Sequence, residues 1–450
     1  MTEILLWATG LVVAWSMATA YLRNRDPFHP LMYLGPMLLY VYFFGAIMHY
    51  YRGSLAKYIP DGAALNSALG YTLLGISAFC GGCLRPRIPV TATRILRVPM
   101  KLDLSLRRRL ATAGYTLAAL GLAMYFYRLM LRGGLFAAYS APKGGVARAA
   151  SGYVGGIPLL TIPAIMLFLI SRHPARHTWK TFALVLLFAL PLLIQGLLGG
   201  SRGPMFLTLA SLAFGWYLAT SRRPRLRTTL ATLVAAGLLL MLLRFHRQEL
   251  YLGSDEHLRE TTVQELLMPT EDARGDPGIF SLGLITACRV NSHYYWGKGF
   301  FVQLIVRAIP KQVWPTKYED VGMDWMVRSP GFAGMTEKQW LTAVGWIPNM
   351  GSAAGFVSDA FVQFAWGGVV VCYLFGLLYG ALWKNSLTIK GLWIILYFEA
   401  AVVSVYVPTQ GLISAWAYRF LYLAVPSVIL WYFVRGRQSQ SHSPAHRLAP

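Results

Sequence analysis

Runs of about 18 residues without a charge recur along most of this 450-residue chain. A helix of that length crosses a hydrocarbon core roughly 30 Å thick. We read eleven such runs, centred near Val12, Leu39, Leu73, Leu120, Ile165, Leu187, Ala210, Ala235, Val371, Glu399 and Ala424. The first lacks a basic leading region and a small-residue cleavage site, so it reads as a span and not as a removable signal. With 56% apolar and 13% charged residues, the expected fold class is an all-α polytopic integral membrane protein. It has about 11 transmembrane helices and one large outer (periplasmic) loop containing short helices. Residues 1–244 carry spans one to eight and 245–355 the outer loop, with interfacial helices and the expected active site. Residues 356–434 carry spans nine to eleven, and 435–450 form a basic cytoplasmic tail.

The formal net charge of +23 reports topology and not nucleic-acid binding. Twenty-two Lys and Arg fall in alternate short connections and the tail, against seven in the intervening ones. The positive-inside rule then places the N-terminus outside and the C-terminus in the cytoplasm of a bacterial inner membrane. Basic loops on the inner side also meet anionic membrane lipids.

One cation departs from this pattern. Arg202 sits in the corner Gly200-Ser201-Arg202-Gly203, between the charge-free runs 181–198 and 204–218. A guanidinium at bilayer depth costs roughly 2.5–3.5 kcal/mol on insertion scales. With no acidic neighbour in sequence, it calls for an anion from elsewhere, and phosphate suits its planar fork of donors. The plainer use is a snorkelling arginine at a tight turn.

The segment 245–355 carries twelve of the eighteen carboxylates and is rich in aromatic residues. A structureless loop of this length is unusual, so helices and a function are expected in it. The runs 277–290 and 300–309 are too short to span and are expected along the membrane surface or dipping into it. Between them, Arg289 and His293 would share a helix face if the helix continued. That would present a cation for an oxyanion beside a titratable imidazole. Further on come Arg307, Lys311, Trp314 and Lys317 around two prolines, a patch suited to an anionic ligand bearing carbohydrate. Interfacial anchoring explains the same residues equally well. Asp320 and Asp324 follow at helical spacing as possible sugar acceptors. Glu399, the one carboxylate deep in a span, needs a partner such as Arg419.

Cys80 and Cys83 form a CxxC without a second pair or a histidine nearby, so neither zinc nor redox chemistry is expected. No disulfide is expected from Cys288 or Cys372. Phosphate-binding glycine loops and HExxH are not found in the sequence, and no cofactor or metal is expected.

Three features together resemble the oligosaccharide repeat-unit polymerases, the O-antigen polymerase (Wzy-type) family. They are the GSRG corner opening a span, the segment IPKQVWPTK, and the stretch 355–380, GFVSDAFVQFAWGGVVVCYLFGLLYG. The family's Glu-x-Tyr-x-Asn-Phe-Gly pattern before a late span stands here as Asp359-Ala360-Phe361-Val362-Gln363-Phe364-Ala365, with four substitutions. The resemblance implies a glycosyltransferase on the outer face that joins polyprenyl-pyrophosphate-linked oligosaccharide units, as in exopolysaccharide, capsule or O-antigen synthesis. Such an enzyme uses no ATP, because the sugar–phosphate bond supplies the driving force. Arg202 and Arg289 are assigned to the pyrophosphate, Arg307, Lys311 and Lys317 help them, and Trp314 lines the glycan groove. His293 or Asp359 is the base. A chain-length regulator or a flippase is a possible partner. The alternatives are an O-antigen ligase, a transferase using polyprenyl-monophosphate sugars, and a non-enzymatic flippase or transporter of lipid-linked glycans. A transporter is expected to show repeated halves, which this sequence does not.

Overall fold

Hydrocarbon offers no water to backbone N–H and C=O groups, so an apolar chain of this kind satisfies them within helices. The computed structural model describes residues 1–88, 102–140, 156–172, 178–198, 202–220, 223–245, 273–328, 332–349, 355–409 and 413–440. Among the described residues there is no strand. The longer helices are α1 (Thr2–Asn24), α2 (Pro30–Tyr51), α3 (Gly62–Leu84), α4 (Leu104–Leu131), α5 (Ile157–Ser171), α6 (Trp179–Leu197), α7 (Arg202–Thr220) and α8 (Leu226–Phe245). They continue with α9 (Pro277–Val290), α10 (Lys298–Leu304), α11 (Glu337–Val344), α12 (Phe356–Phe364), α13 (Gly368–Thr388), α14 (Leu392–Val405) and α15 (Ile413–Gln440).

Among the described residues, seven segments are long and apolar enough to cross a membrane: α1, α2, α3, α4, α6, α12 joined to α13, and the 413–435 part of α15. The chain is a polytopic helical membrane protein. Every expected span centre lies in a helix, and four of those helices, α5, α7, α8 and α14, stand outside the seven.

Two of the four have a clear physical reason to be short. All residues of α5 from Thr161 to Ser171 are buried, as expected of a helix apolar on every side. It is surrounded by α4, α6, α7, α14 and α15. α14 is enclosed in the same way by α5, α7, α13 and α15, with Tyr397 to Val405 buried. A helix wrapped by other helices meets protein and not lipid, so its length need not match the hydrocarbon thickness. α9 is enclosed too: its residues from Gly278 to Cys288 are all buried, so it does not lie on the protein surface. Asp276 caps it, accepting from Gly278 N at 2.9 Å and Ile279 N at 3.3 Å.

The basic connections meet at one end of the bundle. Arg223, just before α8, pairs with Asp26, between α1 and α2, at 2.8 Å. Asp26 also accepts from the Trp383 indole of α13 at 3.0 Å, and the Tyr397 hydroxyl of α14 donates to the Phe28 carbonyl. His29 caps α2 through Nδ1, and burial pushes its imidazole down to about 4. Arg109 of α4 donates to the Val434 carbonyl of α15 at 3.2 Å. The ends of α1, α2, α4, α8, α13, α14 and α15 that the charge pattern assigned to one side are therefore together.

α3 and α13 cross with their backbones in contact. A Cβ on Gly82 would run into the Tyr373 carbonyl, and one on Gly376 into the Phe79 carbonyl. Small residues permit such close approach where lipid supplies no hydrophobic drive between helices. Gly81, next door, faces open space. We therefore predict opposite outcomes for adjacent residues. Gly82→Leu should abolish monodisperse protein on size exclusion in detergent, since overpacking costs at least about 1–3 kcal/mol and here the obstacle is backbone. Gly81→Leu should elute like wild type.

Candidate functional site

The ends of the helices opposite the basic connections gather most of the singled-out residues, and α12 links them. Its first turn carries Asp359, which is buried and accepts from the Ile413 amide of α15 at 2.8 Å. A carboxylate against a helix N-terminus satisfies an otherwise orphan N–H and complements the helix dipole. The far end of α12 binds the segment after α9. The Val362 carbonyl accepts from Tyr295 N at 2.9 Å, the Gln363 carbonyl from Gly297 N at 3.1 Å, and the Gln363 side chain from Gly299 N at 3.0 Å.

The expected continuation of α9 through His293 does not occur. α9 ends at Val290, Asn291 caps it, and Ser292 takes a left-handed φ of 49°. Arg289 and His293 therefore do not project from one helix face. Arg289 is exposed in the last turn, near enough to Tyr294 to act on its hydroxyl. His293 turns to Tyr295: Nε2 lies 2.8 Å from the phenol oxygen, whose own proton goes to the Ala333 carbonyl at 2.8 Å. That chain is satisfied when Nε2 carries the hydrogen, which leaves Nδ1 as the basic nitrogen. Burial draws the imidazole below its usual range, against a smaller upward pull from the Ala333 carbonyl. Gly334 makes this packing possible. Its φ is +78°, and a Cβ there would collide with the Tyr295 hydroxyl.

The second patch divides between structural and available groups. The Lys317 ammonium is bound by the carbonyls of Val306, Arg307 and Ile309, so it fastens the preceding turn at 306–309. The Trp314 indole and the Thr316 hydroxyl both donate to Asp320, and these bonds hold that carboxyl below its usual range, the indole more than the hydroxyl. Lys311 is exposed and acts on Lys317 electrostatically. Arg307 leaves the patch and reaches α15. Its guanidinium lies 4.6 Å from the Tyr418 ring centroid, and Gln303 accepts from it at 2.8 Å.

Beside Tyr418 stands Arg419, whose guanidinium lies 3.8 Å over the Tyr406 ring and donates to the Ala415 carbonyl at 3.0 Å. Arg307 and Arg419 lie within each other's field, two like charges placed on neighbouring tyrosines. The first turn of α7 completes the group, because a Cβ on Gly203 would stand 3.6 Å from the Tyr406 hydroxyl. Arg202 begins that turn. Gly199, Gly200 and Ser201 lie outside the described residues; α6 and α7 themselves approach closely, since a Cβ on Gly196 would stand 2.8 Å from the Met205 backbone.

Arg419 belongs to this group and not to Glu399, which corrects the expected pairing. Glu399 is buried and accepts from Ser427, two turns further along α15, a rise of about 12 Å beyond Arg419. The other Glu399 oxygen is buried without a hydrogen-bond partner among the described residues. Tyr406 and Tyr418 carried no sequence signal. Arg419 did, as a lone cation in an apolar run, but the lone carboxylate at Glu399 offered it a more obvious partner. All four cysteines are buried free thiols.

The arrangement can hold an anion with several oxygens between two stacked guanidinium groups and the first turn of α7, with an imidazole on the adjoining segment. Comparison with protein-family models, with curated proteins and with solved structures finds no match for this chain.

Asp359 separates two roles. As the acceptor for the Ile413 amide, Asp359→Ala should lower thermal stability in detergent by about 1–3 kcal/mol, the cost of an orphaned buried donor. Asp359→Asn, which keeps a carbonyl oxygen there, should retain most of it. An alanine variant as stable as wild type would remove the capping role.

Proposed function

We propose that this protein is a membrane glycan polymerase joining polyprenyl-pyrophosphate-linked oligosaccharide units on the outer face of the bacterial inner membrane. The observation that carries the reading is the placing of Arg307 and Arg419 on neighbouring tyrosines beside the first turn of α7. Two cations held together at the rim of an apolar bundle repel each other unless an anion with several oxygens comes between them. A pyrophosphate leaving group has that character, and fixed cations stabilise the charge it develops as the sugar–phosphate bond breaks.

In this reading the eleven helices at the expected centres all cross the membrane, with the N-terminus outside and the C-terminus in the cytoplasm. The described part of 245–355 then belongs to the outer end, with α9 packed in among α2, α3 and α12. Arg202, Arg307 and Arg419 hold the pyrophosphate, Arg289 and Lys311 draw it in from the exposed rim, and Trp314 borders the glycan path. Lys317 and Asp359 position the turn at 306–309 and the start of α15. The acceptor hydroxyl attacks C1 of the sugar, the C1–oxygen bond to pyrophosphate breaks, and His293 Nδ1 takes the hydroxyl proton.

The test is extension of lipid-linked oligosaccharide by purified protein without ATP. Arg419→Ala and Arg202→Ala should each abolish extension while the protein still inserts and accumulates. Lysine at either position should restore little, since a point charge replaces neither the fork nor the stacking. Normal extension by Arg419→Ala would overturn the reading.

The imidazole gives a pH signature. A base works in its deprotonated form, and His293 is held below the usual histidine range, so it is neutral at pH 7. The rate should therefore be level around neutrality and fall only as pH drops below about 6.5. His293→Gln should reduce the rate by about 10²–10⁴ and remove that acid limb. An unchanged limb would assign the proton transfer elsewhere.

A further inference from the structure

α6, α7 and α8 border an open groove of about 460 Å³, within the size range of ligand pockets. Phe182 of α6, Leu209, Leu212 and Trp216 of α7, and Ala235 and Leu239 of α8 line it. Phe182 and Trp216 meet edge to face at 6.2 Å between centroids. Thr232, its polar hydroxyl on α8, is turned back onto the Thr228 carbonyl at 2.9 Å, so the groove is apolar in effect.

Its register ties it to the cation cluster. At about 100° per residue, Leu209, Ala213 and Trp216 follow Arg202 on one stripe of α7, within about 40° of it. At 1.5 Å per residue they lie about 10 to 21 Å along the axis from Arg202. On α8, Leu239, Ala235 and Thr232 lie about 9 to 20 Å from the Phe245 end, so both walls place the groove at the same depth. A groove reaching about 20 Å from the head-group end passes the middle of a hydrocarbon core roughly 30 Å thick. An acyl chain of one leaflet stops short of that; a polyprenyl chain does not.

We infer that the groove between α6, α7 and α8 holds the polyprenyl chain of a lipid whose pyrophosphate lies at the Arg202 end of α7. This rests on the function proposed above. The chain leaves the cations along the Arg202 stripe and lies against Trp216 and Leu239, which keeps the head group from turning away while the glycan is transferred.

The full-length protein in detergent is tested with undecaprenyl pyrophosphate and with geranyl pyrophosphate, which has the same head and a chain too short to fill the groove. Ala213→Phe and Ala235→Phe fill the groove from opposite walls. Each should weaken undecaprenyl pyrophosphate by about tenfold or more, what excluding about two methylene groups is worth, and leave geranyl pyrophosphate unchanged. Arg419→Ala should weaken both. On wild-type protein, a polyprenyl pyrophosphate with a photoreactive chain end should label α7 and α8 around Trp216 and Leu239. Excess phosphatidylglycerol should not compete.

Unchanged affinity in both filled variants, labelling elsewhere, or displacement by phosphatidylglycerol overturns the groove assignment. The anion site survives that result if Arg419→Ala still weakens both lipids. If Arg419→Ala weakens neither, the anion site falls, and the groove assignment falls with it.

Discussion

Two helices that never need to meet lipid set the arrangement of the rest. α5 is apolar on all sides and α14 carries a single charged residue, Glu399; both are short for the hydrocarbon core, and other helices surround them. Enclosing them fixes the positions of α4, α6, α7, α13 and α15. Once α7 and α15 both pack on α14, the first turn of α7 and the second turn of α15 are close at one end of the bundle, and Gly203 and Arg419 both approach the Tyr406 side chain. The candidate anion site is thus a by-product of burying two short apolar helices.

α12 converts that packing into a site. It is nine residues long and broken from α13 at Ala365, which takes a φ of 49°. One end supplies the carboxylate for the α15 amide, and the other binds the backbone after α9. The segment bearing His293 and the helix bearing Arg419 are thus held to a single short element.

Much of the bundle was legible in the sequence because a charge-free run of 18 residues has few other fates. The alternation of basic connections also matched a geometric fact, the meeting of Asp26, Arg223, Trp383 and Val434 at one end. The shortness of α5 and α14 was harder to read, since composition does not say whether a helix faces lipid or protein. The site was legible by residue type and not by partner. Arg289 and His293 were joined by a spacing rule that the turn at Ser292 cancels. Lys317 looked like a free cation and proves to be bound by three carbonyls of the 306–309 turn. Arg419 was assigned to Glu399 because both are lone charges of opposite sign, yet eight residues of helix separate it from the Ser427 that Glu399 contacts.

The pair Asp26–Arg223 has a mechanical meaning. It joins the α1–α2 connection to the start of α8, while Trp383 and Tyr397 tie α13 and α14 to the same loop. Three elements distant in the chain are thereby stapled to one short loop at the basic end, so a change at Asp26 would be felt by α8 and α13 at once.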